Sequence, residues 1–168
     1  AYVGNALPNS QQWRDAKRLR DAGCVIVRSA HYPQDPAFMD ACDELGLFVI
    51  VATPGWQYWN KDTVFASRVY QNTRDMIRRD RNHTCVLMWE PILNETHYPK
   101  DFALKSLQIT KDEFPYPNRP LAVADLNSAG VKDNYDVVYG WPEDARPGNE
   151  IKQCVFTREF GEYVDDWY

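Results

Sequence analysis

No pair of cysteines in this chain has C-x-x-C spacing: Cys24, Cys42, Cys85 and Cys154 stand singly inside apolar segments and read as small buried hydrophobes. Neither a disulfide framework nor a zinc site is therefore expected. There is no run of five or more Lys/Arg, and the formal net charge is -5, so the basic face that nucleic acid or an anionic membrane requires is missing. No apolar stretch approaches the roughly eighteen residues of a membrane span, and nothing at Ala1 reads as a signal peptide. The expectation is a soluble chain whose compartment stays open between cytoplasmic, periplasmic and secreted. Neither G-x-G-x-x-G nor G-x-x-x-x-G-K occurs, so the usual nucleotide-phosphate turns are absent.

What is present describes a globular protein. At 168 residues, 44% hydrophobic and 26% charged, the chain is long enough for one domain with a real core. Its aromatic load is heavy, with six Trp, ten Tyr and seven Phe, and many of these lie in polar loops such as "GWQYWN" and "YGWPED". Rings set beside polar groups suit flat, partly apolar ligands such as sugars; capping of the core is the alternative use.

Along the chain, helical and strand patterns alternate. Trp13, Ala16, Leu19 and Ala22 keep helical spacing behind Ser10 as N-cap, with Gly23 as the stop. "CVIVRSA" reads as a strand, and Asp35-Pro36 opens a helix that Gly46 ends. "LFVIVAT" is a second strand, 62–80 a longer helix, and "VLMWEPILNE" a third strand. "PKDFALKSLQITKDEF" is a helix, followed by strands at "PLAVADL", "DVVYG" and "QCVFTREFG". Strands roughly 25 to 35 residues apart with helices between them imply βαβ units and a parallel sheet. Several strands end in polar residues, among them Arg28, His31, Asn94, Glu95, Tyr139 and Glu159, which favours a (β/α) barrel over an open sheet. In such a barrel two carboxylates can flank a glycosidic bond, and Glu90 and Glu95 compete for one of those places.

The segments "VIVRSAHYPQDPAFMDACDELGLFVI" and "RRDRNHTCVLMWEPILNE" resemble glycoside hydrolase family 2, which holds β-galactosidases, β-glucuronidases and β-mannosidases. The resemblance implies an incomplete (β/α)8 TIM barrel with strands two to seven present and the first and last missing, since a whole barrel takes about 250 residues. Residues 1–168 would form a single partial catalytic domain of a larger glycosidase. The family's Asn-Glu doublet falls on Asn94 and Glu95, making Glu95 the acid/base, and its T-E-[YF]-G-like motif places the nucleophile at Glu159. Arg28 would hold the nucleophile ionised, His31 would meet sugar hydroxyls, Asn94 would bind the 2-hydroxyl, and Tyr139 would donate to Glu159. Trp56, Tyr58, Trp59 and Trp141 are candidate sugar platforms.

Two departures stand out. Trp89 and Glu95 are six positions apart, where the W-S-L-G-N-E form has five, and Arg158 precedes Glu159 where a smaller residue is usual. Strand alternation points Arg158 away from the barrel axis. "ATPGWQYW" replaces the Glu-rich loop that supplies metal ligands in some β-galactosidases, so no catalytic magnesium and no other cofactor is expected. The resemblance implies a retaining hydrolase of terminal β-glycosides, β-galactosidase first, with β-glucuronidase or β-mannosidase as alternatives; a non-catalytic carbohydrate-binding remnant is the rival. The partners implied are a β-linked oligosaccharide or glycoside and the missing domains of the parent protein.

Overall fold

In the computed structural model, residues 6–115 and 121–158 are described. Six strands form one parallel sheet: β1 (Ile26–Ser29), β2 (Phe48–Ala52), β3 (Val86–Glu90), β4 (Leu121–Asp125), β5 (Val137–Tyr139) and β6 (Cys154–Phe156). Each pairs with the next in sequence. This unbroken order separates a barrel from a doubly wound sheet, in which the strand order reverses at a switch point. Four helices cover the outside: α1 (Asn9–Asp21), α2 (Pro36–Leu45), α3 (Thr63–Asp80) and α4 (Lys100–Glu113). The result is an incomplete (β/α)8 barrel in which β1 to β6 take the places of strands two to seven.

Local chemistry explains the helix boundaries. Asp35 accepts from the Ala37 amide at 2.8 Å ahead of Pro36, and Gly46 ends α2 in the left-handed region at φ 70°. Asp62 accepts from the Val64 amide at 2.8 Å and starts α3. Each such cap contributes about 1 kcal/mol. The expected Ser10 cap is a correction: Ser10 lies inside α1, which Pro8 opens without a side-chain cap. The Pro8 carbonyl accepts from the Gln11 and Gln12 amides at 2.8 and 3.2 Å, and the fixed φ of Pro suits the entry.

Strand residues alternate between two environments. Val27, Val49, Val51 and Trp89 pack outward with Met39, Cys42, Met76 and Ile77 of α2 and α3. Phe102, Ala103 and Leu107 of α4 cover Ile92, Leu93, Ala122 and Ala124. Ile50, Met88, Val123, Val137 and Tyr139 fill the barrel interior. The register sets Ile50 beside Met88 and Ala52 beside Glu90, so Glu90 shares the inward face of Met88. At the open side Ile26 and Phe48, paired in register, remain 38% and 43% exposed.

The reading of all four cysteines as buried needs correction. Cys42 and Cys85 are buried, Cys24 is half-buried and Cys154 is exposed, because β6 has a sheet neighbour on one side only among the described residues. Among the described residues no helix is long and apolar enough to cross a membrane.

Candidate active site

The polar groups gather where the strands end. At the end of β3 the buried Glu90 accepts on both oxygens from Arg28 of β1, with Nε at 2.8 Å from Oε2 and Nη2 at 2.6 Å from Oε1. The Tyr139 hydroxyl at the end of β5 donates to Glu90 Oε2 at 2.9 Å. Arg28 and Tyr139 were expected to serve Glu159; the partner seen for both is Glu90, while Glu159 lies outside the described residues. Glu90, set against Glu95 as a catalytic alternative, has no exposed surface. Desolvation works against the Arg28 charge, but the bonds and charge of Glu90 outweigh it and raise the guanidinium pKa. Burial, followed by the neighbouring Glu90 charge, pushes the Tyr139 phenol well above its ordinary range.

Arg28 also reaches forward. Its Nη2 donates to Asn94 Oδ1 at 2.9 Å, and the His31 ring Nε2 stands 3.2 Å from the same oxygen. Asn94 is buried, and with its acceptor oxygen engaged by cations or ring nitrogen, the amide nitrogen is the group it can offer a ligand. His31 stacks on Trp56, with ring centroids 4.8 Å apart and planes 5° from parallel. Trp56 remains 42% exposed, leaving a face open beside His31.

Glu95 sits differently from Glu90. It is exposed, and its backbone adopts φ 55°, a left-handed conformation that costs a non-glycine residue about 1 to 2 kcal/mol. Gln57, itself at φ 59°, donates from Nε2 to Glu95 Oε2 at 2.9 Å and from its backbone amide to Thr96 Oγ1 at 3.0 Å. Two unfavourable backbones thus hold one carboxylate at the mouth of the barrel. Backbone strain of this kind clusters at active sites and ligand clamps.

Glu95 lines a 260 Å³ cleft together with Asp125, Asn127, Tyr139, Trp141 and Arg158. A neighbouring cavity of 460 Å³ shares Glu95, Asp125, Asn127 and Arg158 and extends past His97. The outward placement of Arg158 is therefore corrected: its guanidinium lies 3.3 Å from Asp125 Oδ2 and faces the cleft. Phe156 is in register with Tyr139 and packs inside, and Arg158, two residues on, keeps the same face. Asp125, the last residue of β4, and Asn127 just beyond it were missed in the sequence, and only the folded structure shows that they border the cleft. Trp141 is 57% exposed at the rim, with its amide held by Asp144 at 2.7 Å. Trp59 is a correction: it packs edge-on to Phe65 and Tyr98 and against Phe102, so it belongs to the core. Tyr58 is exposed and lies edge-on to Phe65.

The closest grouping of potential metal ligands among the described residues is elsewhere. Asp43, His83 and Cys85 meet at the opposite ends of the strands, just before β3. There Asp43 accepts from the Cys85 amide at 2.7 Å and from Thr84 Oγ1 at 3.0 Å, with His83 Nδ1 2.7 Å from its other oxygen. These bonds tie α2 to the entry of β3, a structural staple away from the cleft.

A parallel barrel with its strands in sequence order and its polar groups collected at the C-terminal strand ends defines a protein of the (β/α)8-barrel class. The family model described as glycosyl hydrolases family 2, TIM barrel domain, matches residues 1–157. The chain belongs to glycoside hydrolase family 2. It is 43% identical over 102 residues to a beta-galactosidase of Thermoanaerobacter pseudethanolicus, covering 60% of this chain and 14% of that protein. To a beta-galactosidase of Pseudoalteromonas haloplanktis it is 31% identical over 156 residues, 89% of this chain and 12% of the relative. The chain thus spans about one eighth of these relatives' lengths. Among solved structures, Bacteroides uniformis beta-glucuronidase 2 superposes with a TM-score of 0.71 at 22% identity, covering 82% of this chain and 19% of that one, which supports the fold.

Proposed function

We propose that residues 1–168 are part of the catalytic barrel of a larger retaining β-glycosidase, with Glu95 as acid/base and Glu159 as nucleophile. The observation that carries this reading is the placement of Glu95: an exposed carboxylate, on a left-handed backbone, in the loop that follows β3, directly after a buried Asn94 and facing a cleft. In the first step Glu95 gives its proton to the glycosidic oxygen as that bond breaks, and a Glu159 oxygen bonds the anomeric carbon. In the second, Glu95 takes a proton from water, which attacks the same carbon and releases Glu159. Gln57 orients Glu95, Asn94 offers its amide nitrogen to the 2-hydroxyl, His31 meets further hydroxyls, and Trp56 and Trp141 supply flat apolar faces.

β-Galactosidase is the leading specificity, supported by the names of the two relatives above. β-Glucuronidase and β-mannosidase are the alternatives within the family. The described border of the cleft favours a neutral sugar over one bearing a carboxylate: its cation, Arg158, is paired with Asp125, and Asp144 adds a negative charge. The test is a panel of nitrophenyl β-glycosides on the full-length protein, with product anomers followed by NMR. The expected result is hydrolysis of the galactoside with the β-anomer formed first. The α-anomer as first product would exclude the retaining mechanism, and silence across the panel would favour carbohydrate binding without catalysis.

A further inference from the structure

The family's W-S-L-G-N-E form has a small residue directly after its Trp, and this chain has Glu90. That carboxylate is fully buried on the inward face of β3 and accepts from β1 through Arg28 and from β5 through Tyr139. The Arg28 Nη2 nitrogen that meets Glu90 Oε1 is also the one that meets Asn94 Oδ1, at 2.6 Å and 2.9 Å. Glu90 therefore sets the place of the guanidinium, and the guanidinium sets which end of the Asn94 amide faces inward. With the Arg28 N–H pointed at it, the amide must turn its oxygen to Arg28 and its nitrogen toward the ligand.

From this geometry we infer that Glu90 is a positioning residue that acts through Arg28 on Asn94, fixing the amide as a donor to the sugar 2-hydroxyl. The inference rests on the reading of Asn94 as the 2-hydroxyl ligand. Glu90 has no exposed surface, and no chemical step passes through it. Neutralising it weakens the two bonds by which Glu90 holds the guanidinium. The Asn94 amide then keeps only the His31 contact at its oxygen among the bonds described, and the benefit of a substrate 2-hydroxyl falls with the lost one.

The experiment compares kcat/KM for an aryl β-galactoside and its 2-deoxy analogue in the full-length enzyme and in Glu90→Gln, Glu90→Asp and Asn94→Ala, with folding checked by near-UV circular dichroism. The ratio of the two substrates isolates the 2-hydroxyl, so a general loss of structure, which lowers both rates, leaves it unmoved. Glu90→Gln is expected to lower the 2-hydroxy preference about tenfold, the worth of one charge-assisted hydrogen bond. Asn94→Ala should lower it at least as much. Glu90→Asp keeps the counter-charge one methylene further back, so a partial loss is expected; it carries the comparison should Glu90→Gln not fold. An unchanged ratio in the folded Glu90 variants, with the ratio collapsed in Asn94→Ala, would overturn the role of Glu90 and leave the Asn94 reading standing. An unchanged ratio in Asn94→Ala would overturn the Asn94 reading and this inference together.

Discussion

Replacing Arg28 with Met tests how the interior of the barrel is held together. The Arg28 side chain is 7% exposed and Glu90 is not exposed at all, so the substitution leaves a buried carboxylate with the Tyr139 hydroxyl as its remaining donor among the bonds described above. Breaking a buried pair from one side costs about 3 to 5 kcal/mol, because the charge left behind stays desolvated. Removing both charges is different: among the bonds described, Arg28→Met with Glu90→Leu strands the Tyr139 hydroxyl and leaves Asn94 Oδ1 with the His31 contact, at about 1 to 3 kcal/mol. Adding Tyr139→Phe takes that group away too, and an apolar replacement of a whole buried ion pair is often neutral or stabilising. The expected order of stability is thus Arg28→Met lowest, the double variant higher, and the triple variant near the starting protein. Urea unfolding followed by the fluorescence of Trp89, which is buried next to Glu90 in the chain, reads this order with the slope of the transition held constant. A loss below about 1 kcal/mol for Arg28→Met, or a triple variant no more stable than the single one, would refute the reasoning.

Three further outcomes follow from particular contacts. Burial acts to raise the Asp43 carboxyl pKa, but bonds from His83, Cys85 and Thr84 outweigh it and hold the value below the ordinary one. Its stabilisation should be complete above the unfolded Asp value of about 3.9 and be lost as pH falls through the lowered folded value, and Asp43→Asn should flatten this part of the acid-unfolding curve. A Cβ added at Gly140 would lie 2.9 Å from Asp144 Oδ2 and 3.1 Å from Val155 Cγ1, so Gly140→Ala should cost about 1 to 3 kcal/mol in a thermal melt and raise KM by displacing Asp144, which holds Trp141. Burial and then Asp43 push the Cys42 thiol up to about 12, and burial raises Cys85 as well, so a thiol reagent at pH 8 should label the exposed Cys154 and leave these two intact, as peptide mapping would read.

Much of the fold was legible because its signals are local. Asp35-Pro36, Asp62 and Gly46 mark helix boundaries through bonds within a few residues, and each stands where the sequence put it. The six parallel strands follow from apolar runs at βαβ spacing. Which face each residue takes was not legible. Strands covered on both sides are apolar throughout, so "VLMWE" carries no alternation to tell that Trp89 points to the helices and Glu90 to the barrel interior. That choice comes from the pairing of Ala52 with Glu90 and Ile50 with Met88, a contact between segments far apart in the chain. The placing of Arg158 failed for the same reason: alternation needs an anchor, and the anchor is Phe156 opposite Tyr139. The contact of Arg28 with Glu90 could not be read either, since it joins strands 62 residues apart, and only the geometry shows Glu90 buried and Glu95 exposed.

The central claim, that Glu95 and not Glu90 handles the proton, is tested most directly by Glu95→Gly in the full-length enzyme. With an activated aryl β-galactoside whose leaving group needs little protonation, the variant should still form the glycosyl intermediate, and added azide should capture it as a β-galactosyl azide. The strained backbone at φ 55° accepts glycine readily, so folding should be preserved. Hydrolysis of unactivated galactosides should be lost. A Glu95→Gly enzyme that cleaves unactivated substrates at the parental rate and yields no azide product, while Glu90→Gly shows azide capture, would contradict the assignment.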